Sequence, residues 1–132
     1  RWVGKNTLFR FPFGGIMRWL GGISVDRSAP QGIVEQVAAA FDGHDNLIIG
    51  VTPEGTRSYV EKWKTGFHRI ARAANVPIWL VAFDYENKCI VFGPTMMASD
   101  DLDADMDIIY DFFRDKVGKR PEKAGGIPEK TT

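Results

Sequence analysis

Cysteine is nearly absent from this chain. Cys89 is the only one, so no intrachain disulfide can form and nothing requires an oxidising compartment. Surplus charge is absent too. Lysine and arginine number 17, aspartate and glutamate 17, for a net charge of zero, which argues against nucleic acid as a partner because a polyphosphate selects a basic excess. No apolar run approaches the ~20 residues of a membrane-spanning helix, and the first residues lack the layout of a signal peptide. A soluble or peripheral chain is therefore expected. No spacing of Cys, His or Asp suits a metal ion, and none is expected.

What is present is 132 residues, one domain's worth, able to bury about two thirds of its unfolded surface. Its charge is unevenly spread. Up to Ser28 the basic residues Arg1, Lys5, Arg10, Arg18 and Arg27 face a single acid, Asp26, whereas Asp100 to Asp115 holds seven aspartates and only Arg114. The first region should favour anions.

The apolar pattern outlines an α/β chain. Trp2 and Val3 can end a strand, and Ile23 to Val25 forms another. Val34, Val37, Ala38 and Phe41 mark one face of a helix from Gly32 to Phe41. Leu47 to Val51 is a continuous apolar run, expected as a strand covered on both faces and ending in the loop Thr52 to Ser58. Phe67, Ile70, Ala71 and Ala74 predict a helix over about Lys64 to Asn75. Pro77 to Phe83 and Cys89 to Phe92 read as a hairpin. Met106, Ile109, Tyr110, Phe113 and Val117 share a face of the last helix, whose aspartate-rich start and basic end suit the helix dipole. Strands alternating with helices predict a mixed, partly parallel sheet flanked by helices over residues 1–117. Residues 118–132, rich in Pro, Gly, Lys and Thr, are expected to be a flexible tail.

Two segments carry chemistry. Gly50 to Arg57 has the glycine spacing of a phosphate loop, but Thr56-Arg57 replaces Lys-Ser/Thr and Pro53 removes a backbone N–H, which argues against a nucleotide triphosphatase. Within five residues it offers a carboxylate (Glu54), a flexible Gly55, a hydroxyl (Thr56) and a guanidinium (Arg57). Arginine's planar fork suits phosphate. The bland alternative is a surface pair between Glu54 and Arg57. Gly22 to Ser28 repeats the arrangement, a short strand leading to Asp26, Arg27 and Ser28. Two strand ends of one sheet would bring Arg27 and Arg57 to the same edge.

These residues resemble the glycerolipid acyltransferases that acylate glycerol 3-phosphate or lysophosphatidic acid, a family with four ordered sequence blocks. Gly22 to Ser28 looks like the second block and Pro53-Glu54-Gly55-Thr56-Arg57-Ser58 like the third, without substitution. Val76-Pro77-Ile78 resembles the start of the fourth, and Lys64-Thr65-Gly66-Phe67 a stretch common after the third. The resemblance covers about Trp2 to Gly93. Thr52 stands where the family commonly has an aromatic residue, and Leu80 where the fourth block usually has a second proline.

The resemblance implies an acyltransferase-like domain that moves a fatty acyl group from acyl-coenzyme A or acyl carrier protein to a lysophospholipid or glycerol phosphate hydroxyl, in phospholipid biosynthesis. No bound cofactor is implied. Arg27 and Arg57 would bind the acceptor's phosphate, Ser28 and Thr56 would add hydrogen bonds, Gly55 would allow close approach and Glu54 would orient the site. The expected location is cytoplasmic, peripheral to the inner face of a membrane. The family's catalytic His-x-x-x-x-Asp block is not in the sequence: Ile49 and Ala73 stand where His44 and His68 would need an aspartate. The expectation is that the chain starts inside a domain, with the catalytic block upstream of Arg1. Losing a positioned base costs typically 10²- to 10⁴-fold in rate, so the chain alone is expected to be inactive. The alternative is a non-catalytic α/β module that binds phosphate-bearing lipids.

The remaining candidates have plainer readings. His44 and His68 are expected at the surface, and Cys89 in the core as a small apolar residue. Phe9, Phe11, Phe13, Trp19 and Leu20, with Arg10 and Arg18, could enter a lipid interface. Core packing is the stronger expectation for them.

Overall fold

The computed structural model describes residues 2–26, 28 and 32–129. The chain divides into two compact units, residues 1–51 and 52–132.

In the first unit, β1 (Trp2–Lys5) leads through a 3-10 turn (Asn6–Phe9) to the short helix α1 (Gly14–Trp19), β2 (Gly22–Val25) and helix α2 (Gly32–Asp42). β1 and β2 pair in parallel, Trp2 opposite Gly22 and Lys5 opposite Val25. Phe9, Val25, Val37 and Ala38 are buried. Gly22 is needed here because a Cβ would sit 2.7 Å from the Phe9 ring and 2.8 Å from the Met17 carbonyl oxygen.

The second unit contains α3 (Gly66–Ala74), β3 (Ile78–Asp84), β4 (Cys89–Met96) and α4 (Leu102–Phe113). α3 ends at Asn75, whose φ of 52° is the left-handed conformation that asparagine tolerates better than most side chains. The expected hairpin forms and is longer than expected, pairing Asp84 with Cys89 and Ile78 with Met96. Asp101 caps α4 by accepting a hydrogen bond from the Ala104 N–H at 3.0 Å, satisfying one of the donors a helix start leaves open. The core of this unit is Trp63, Leu80, Met106 and Ile109, with Val60, Phe67 and Ile127 packed against it.

Among the described residues, the single mixed sheet expected from the sequence is instead two sheets of two strands, one parallel and one antiparallel. Residues 47–51 form no strand, and Ile48 and Val51 are exposed. An apolar run reports hydrophobicity, whereas a central strand also requires neighbours that complete its ladder. Cys89 is exposed rather than in the core, because it sits at the hairpin's turn end. The aromatic segment differs as well. Phe9 is buried, but Phe11 is 97 % exposed and Trp19 83 %, and Phe13 and Leu20 are also exposed. α1 has six residues and buries only Gly14, too short a surface to cover four large side chains.

Candidate functional site

The Pro53–Ser58 segment folds as a tight, backbone-held loop. The Gly55 N–H donates to the Thr52 carbonyl at 3.1 Å, and the Lys64 N–H to the Pro53 carbonyl at 2.9 Å, so the segment is pinned where it enters the turn. Gly55 has a φ of +63°, the left-handed region where glycine pays no Cβ penalty. A Cβ there would lie 3.1 Å from Lys64 Nζ. The ammonium of Lys64 thus lies beside the loop. The Thr56 hydroxyl accepts from the Ser58 N–H at 3.3 Å.

Glu54 is half-buried, and Gly55, Thr56 and Arg57 are exposed. Among the described residues neither Glu54 nor Arg57 makes an ion pair, so the bland surface pair between them is not formed. Arg57 instead shares the rim of an open basin of about 420 Å³ with Lys119, Arg120 and Lys123.

The other segment lies in the first unit. Asp26 Oδ1 accepts from both the Ser28 N–H, at 2.9 Å, and the Ser28 hydroxyl, at 2.6 Å. Those two bonds, the hydroxyl's first, hold the Asp26 carboxyl below the usual aspartate range, with Arg10 adding a smaller contribution. The turn is clamped from α2. The Gln36 side-chain amide accepts from the Asp26 N–H at 2.9 Å and donates to the Asp26 carbonyl at 2.8 Å and the Gly32 carbonyl at 2.9 Å. Ser28 is exposed. Arg27 lies outside the described residues, and so does its expected approach to Arg57.

The sequence reading missed three features. Gln36 has no motif around it; its role comes only from α2 lying against the end of β2. The basic residues 119–123 were expected in a loose tail, yet Gly125 and Pro128 carbonyls accept from Trp63 Nε1 at 2.7 Å and Arg114 Nη1 at 2.6 Å.

The third is His68, expected at the surface and found 4 % exposed. Its Nε2 lies 2.7 Å from Asp105 Oδ2, which also accepts from the Ser99 N–H at 2.6 Å. The His68 bond first, then Ser99, holds the Asp105 carboxyl below its ordinary range despite burial. The carboxylate is therefore the acceptor and Nε2–H the donor. The pair ties α3 to α4 and its enclosure removes it from any reacting hydroxyl. The only available signal was that His68 follows Phe67 on the helix's apolar side. His44 is exposed as expected, its ring Nδ1 2.8 Å from the Ala40 carbonyl.

No group of three or more His, Cys, Asp or Glu side chains is arranged to hold a metal among the described residues. No described helix is long and apolar enough to cross a membrane.

Against known proteins, the model of the family described as Acyltransferase matches residues 1–84. The 1-acyl-sn-glycerol-3-phosphate acyltransferase of Haemophilus influenzae is 39 % identical to this chain over 83 residues. That stretch is 58 % of this chain and 34 % of the Haemophilus protein, so the chain corresponds to about a third of that relative's length. No solved structure matches.

Proposed function

The chain belongs to the acyltransferase family, and from that premise we propose that it supplies the acceptor-holding part of an O-acyltransferase of phospholipid biosynthesis. The acceptor is a lysophospholipid such as lysophosphatidic acid, or glycerol phosphate, and the donor an acyl thioester of coenzyme A or acyl carrier protein. The observation that carries this reading is the Pro53–Ser58 loop: its backbone is pinned, its glycine is left-handed, and Arg57 is exposed with no carboxylate partner among the described residues.

In this reading Arg57 and Arg27 bind the acceptor's phosphate. Thr56 adds a hydroxyl donor, Ser28 adds one by exchanging its bond to Asp26, Gly55 lets the phosphate approach the backbone, and Glu54 orients the loop. A charge-assisted hydrogen bond contributes about 1.5 to 3 kcal/mol, or roughly 10- to 100-fold in affinity. Chemistry requires a base on the acceptor hydroxyl. His68 is enclosed and bound to Asp105, and neither histidine begins a His-x-x-x-x-Asp block, so this chain alone is read as inactive.

Arg10 and Arg18 beside exposed Phe11, Phe13 and Trp19 support a peripheral location on an anionic membrane face, where apolar rings insert and guanidinium groups meet headgroups. The cytoplasmic face suits a chain whose sole cysteine is free and exposed.

Equilibrium binding of lysophosphatidic acid to the chain, with Arg27→Ala and Arg57→Ala compared separately, tests the acceptor site. Each substitution should weaken binding by about 10-fold or more; unchanged affinity in both would sink the assignment. Acceptor-dependent thiol release from an acyl-coenzyme A by this chain alone would overturn the reading that it is inactive.

A further inference from the structure

The hairpin of β3 and β4 is apolar on both faces. Residues 78–83 read Ile-Trp-Leu-Val-Ala-Phe with no charged side chain. That is the pattern of a strand covered on two sides, whereas an antiparallel strand with one face in water alternates apolar and polar. One side is covered: Leu80 and Ala82 are buried, Leu80 in the core with Met106 and Ile109 of α4. The opposite side is open. Trp79, Phe83 and Phe92 are 57, 64 and 62 % exposed, and Ile90 is half-exposed. The ladder gathers these side chains on one face, with Phe83 opposite Ile90 and Val81 opposite Phe92.

We propose that this face is the contact surface of a homodimer, in which the hairpins of two copies of the chain pack face to face as a small β-sandwich about a two-fold axis. No residue assigned to the acceptor's phosphate lies on β3 or β4, so the interface stands whether or not that assignment holds.

Area, charge and rigidity select a second copy as the occupant. A large aromatic side chain offers about 150 to 250 Å². At the exposures above, the three rings with Ile90 and Val81 present roughly 500 Å², and two such faces together remove about 1,000 Å² from water, the size at which an interface becomes specific. The face carries no charge, since its other outward position is Thr95, opposite Trp79. An identical copy therefore brings no like charges together, and closing the face buries no unpaired ion. An anionic membrane fits less well, because interfacial binding sets lysine and arginine beside the inserted rings, and this unit carries the aspartate-rich stretch from Asp100 to Asp115. The rings are also fixed in advance. The Trp79 indole N–H donates to the Gly93 carbonyl at 3.1 Å, and its ring stacks on Phe92 at 5.2 Å with 30° between the planes, so association orders little that is not already ordered.

Sedimentation velocity of the 132-residue chain over a concentration series tests the proposal. The wild type should pass from monomer to dimer as concentration rises. Phe83→Ser with Phe92→Ser removes two central rings and should weaken the dimer at least 10-fold, with the circular dichroism unchanged. Ile90→Lys alone, a single exposed position, should weaken it several-fold and serves if the double variant does not fold. A control, Phe11→Ser with Trp19→Ser, removes outward rings of the first unit and should dimerise as the wild type does.

A wild type that stays monomeric throughout, a dimer that both hairpin variants leave intact, or a dimer lost in the control would each overturn the proposal. So would a monomer whose binding to anionic phospholipid vesicles is lost in Phe83→Ser with Phe92→Ser, since the face would then belong to lipid.

Discussion

The two units each bury a small core and leave large apolar side chains outward, but on different elements. The unit of residues 52–132 builds its core around Trp63, whose ring meets Tyr110 and Phe113 at 5.4 Å each, and closes with a buried His68–Asp105 bond, while Trp79, Phe83 and Phe92 of the hairpin stay outward. The unit of residues 1–51 buries Phe9, Val25, Val37 and Ala38 but leaves Phe11, Phe13, Trp19 and Leu20 outward. Aromatic content alone does not separate these cases. What separates a covered side chain from an open one is whether its face of the element is packed: on the seven-residue strand β3, Leu80 and Ala82 are buried and Trp79 and Phe83 are exposed, and the six residues of α1 bury only Gly14.

The contrast breaks most severely at Trp63. Trp63→Ala removes the ring that heads the core and the donor that holds Gly125, and should cost about 3 to 5 kcal/mol, read as a lower denaturant midpoint. A loss under 1 kcal/mol would mean that the second unit does not depend on this centre.

Asp105→Ala strands the buried His68 ring and the Ser99 N–H and should cost about 1 to 3 kcal/mol. The same bond predicts a pH dependence. Because the folded Asp105 carboxyl titrates below its ordinary range, its contribution is fully present above the unfolded value, about pH 4. It is lost as the pH falls through the folded value. Asp105→Asn should flatten that acid limb in melts recorded from pH 5 downward; an unaltered limb would assign acid sensitivity to other groups.

A smaller effect is expected at the tail. Gly126→Ala adds a Cβ against Trp63 at a positive φ and should cost about 1 to 2 kcal/mol. Limited proteolysis should then cut near residue 126 sooner than in the wild type, and equal cutting rates would show that the anchor does not hold the tail.

The smallest stability effect belongs to the outward rings of the first unit. Phe11→Ser with Trp19→Ser should change stability by less than about 0.5 kcal/mol, while co-sedimentation with anionic phospholipid vesicles should fall several-fold. A large drop in melting temperature instead would make these rings core residues and erase the contrast.

Much of the local structure was legible in the sequence. The helical spacing of Met106, Ile109 and Tyr110 located α4, and the pattern from Pro77 to Phe92 located the hairpin, because both signals repeat within one element. The loop at Pro53 to Arg57 was legible because a tight turn and the residues that make it lie within five neighbours. Leu47 to Val51 misled because strand formation is decided by partners. Phe11 and Trp19 misled because an aromatic residue looks the same whether an element covers it or not.

Residue types and short-range spacing, by themselves, determined the family's second and third blocks, the alternation of strands and helices and the absence of a catalytic His-x-x-x-x-Asp block. Tertiary structure alone decided that His68 meets Asp105 across 37 positions and that Trp63 holds Gly125 across 62, which brings the tail's cations beside Arg57. The reason is that a pattern along the chain encodes periodicity and local turn chemistry, whereas the partner of a side chain is set by which elements pack together, and that depends on the summed burial of the whole unit.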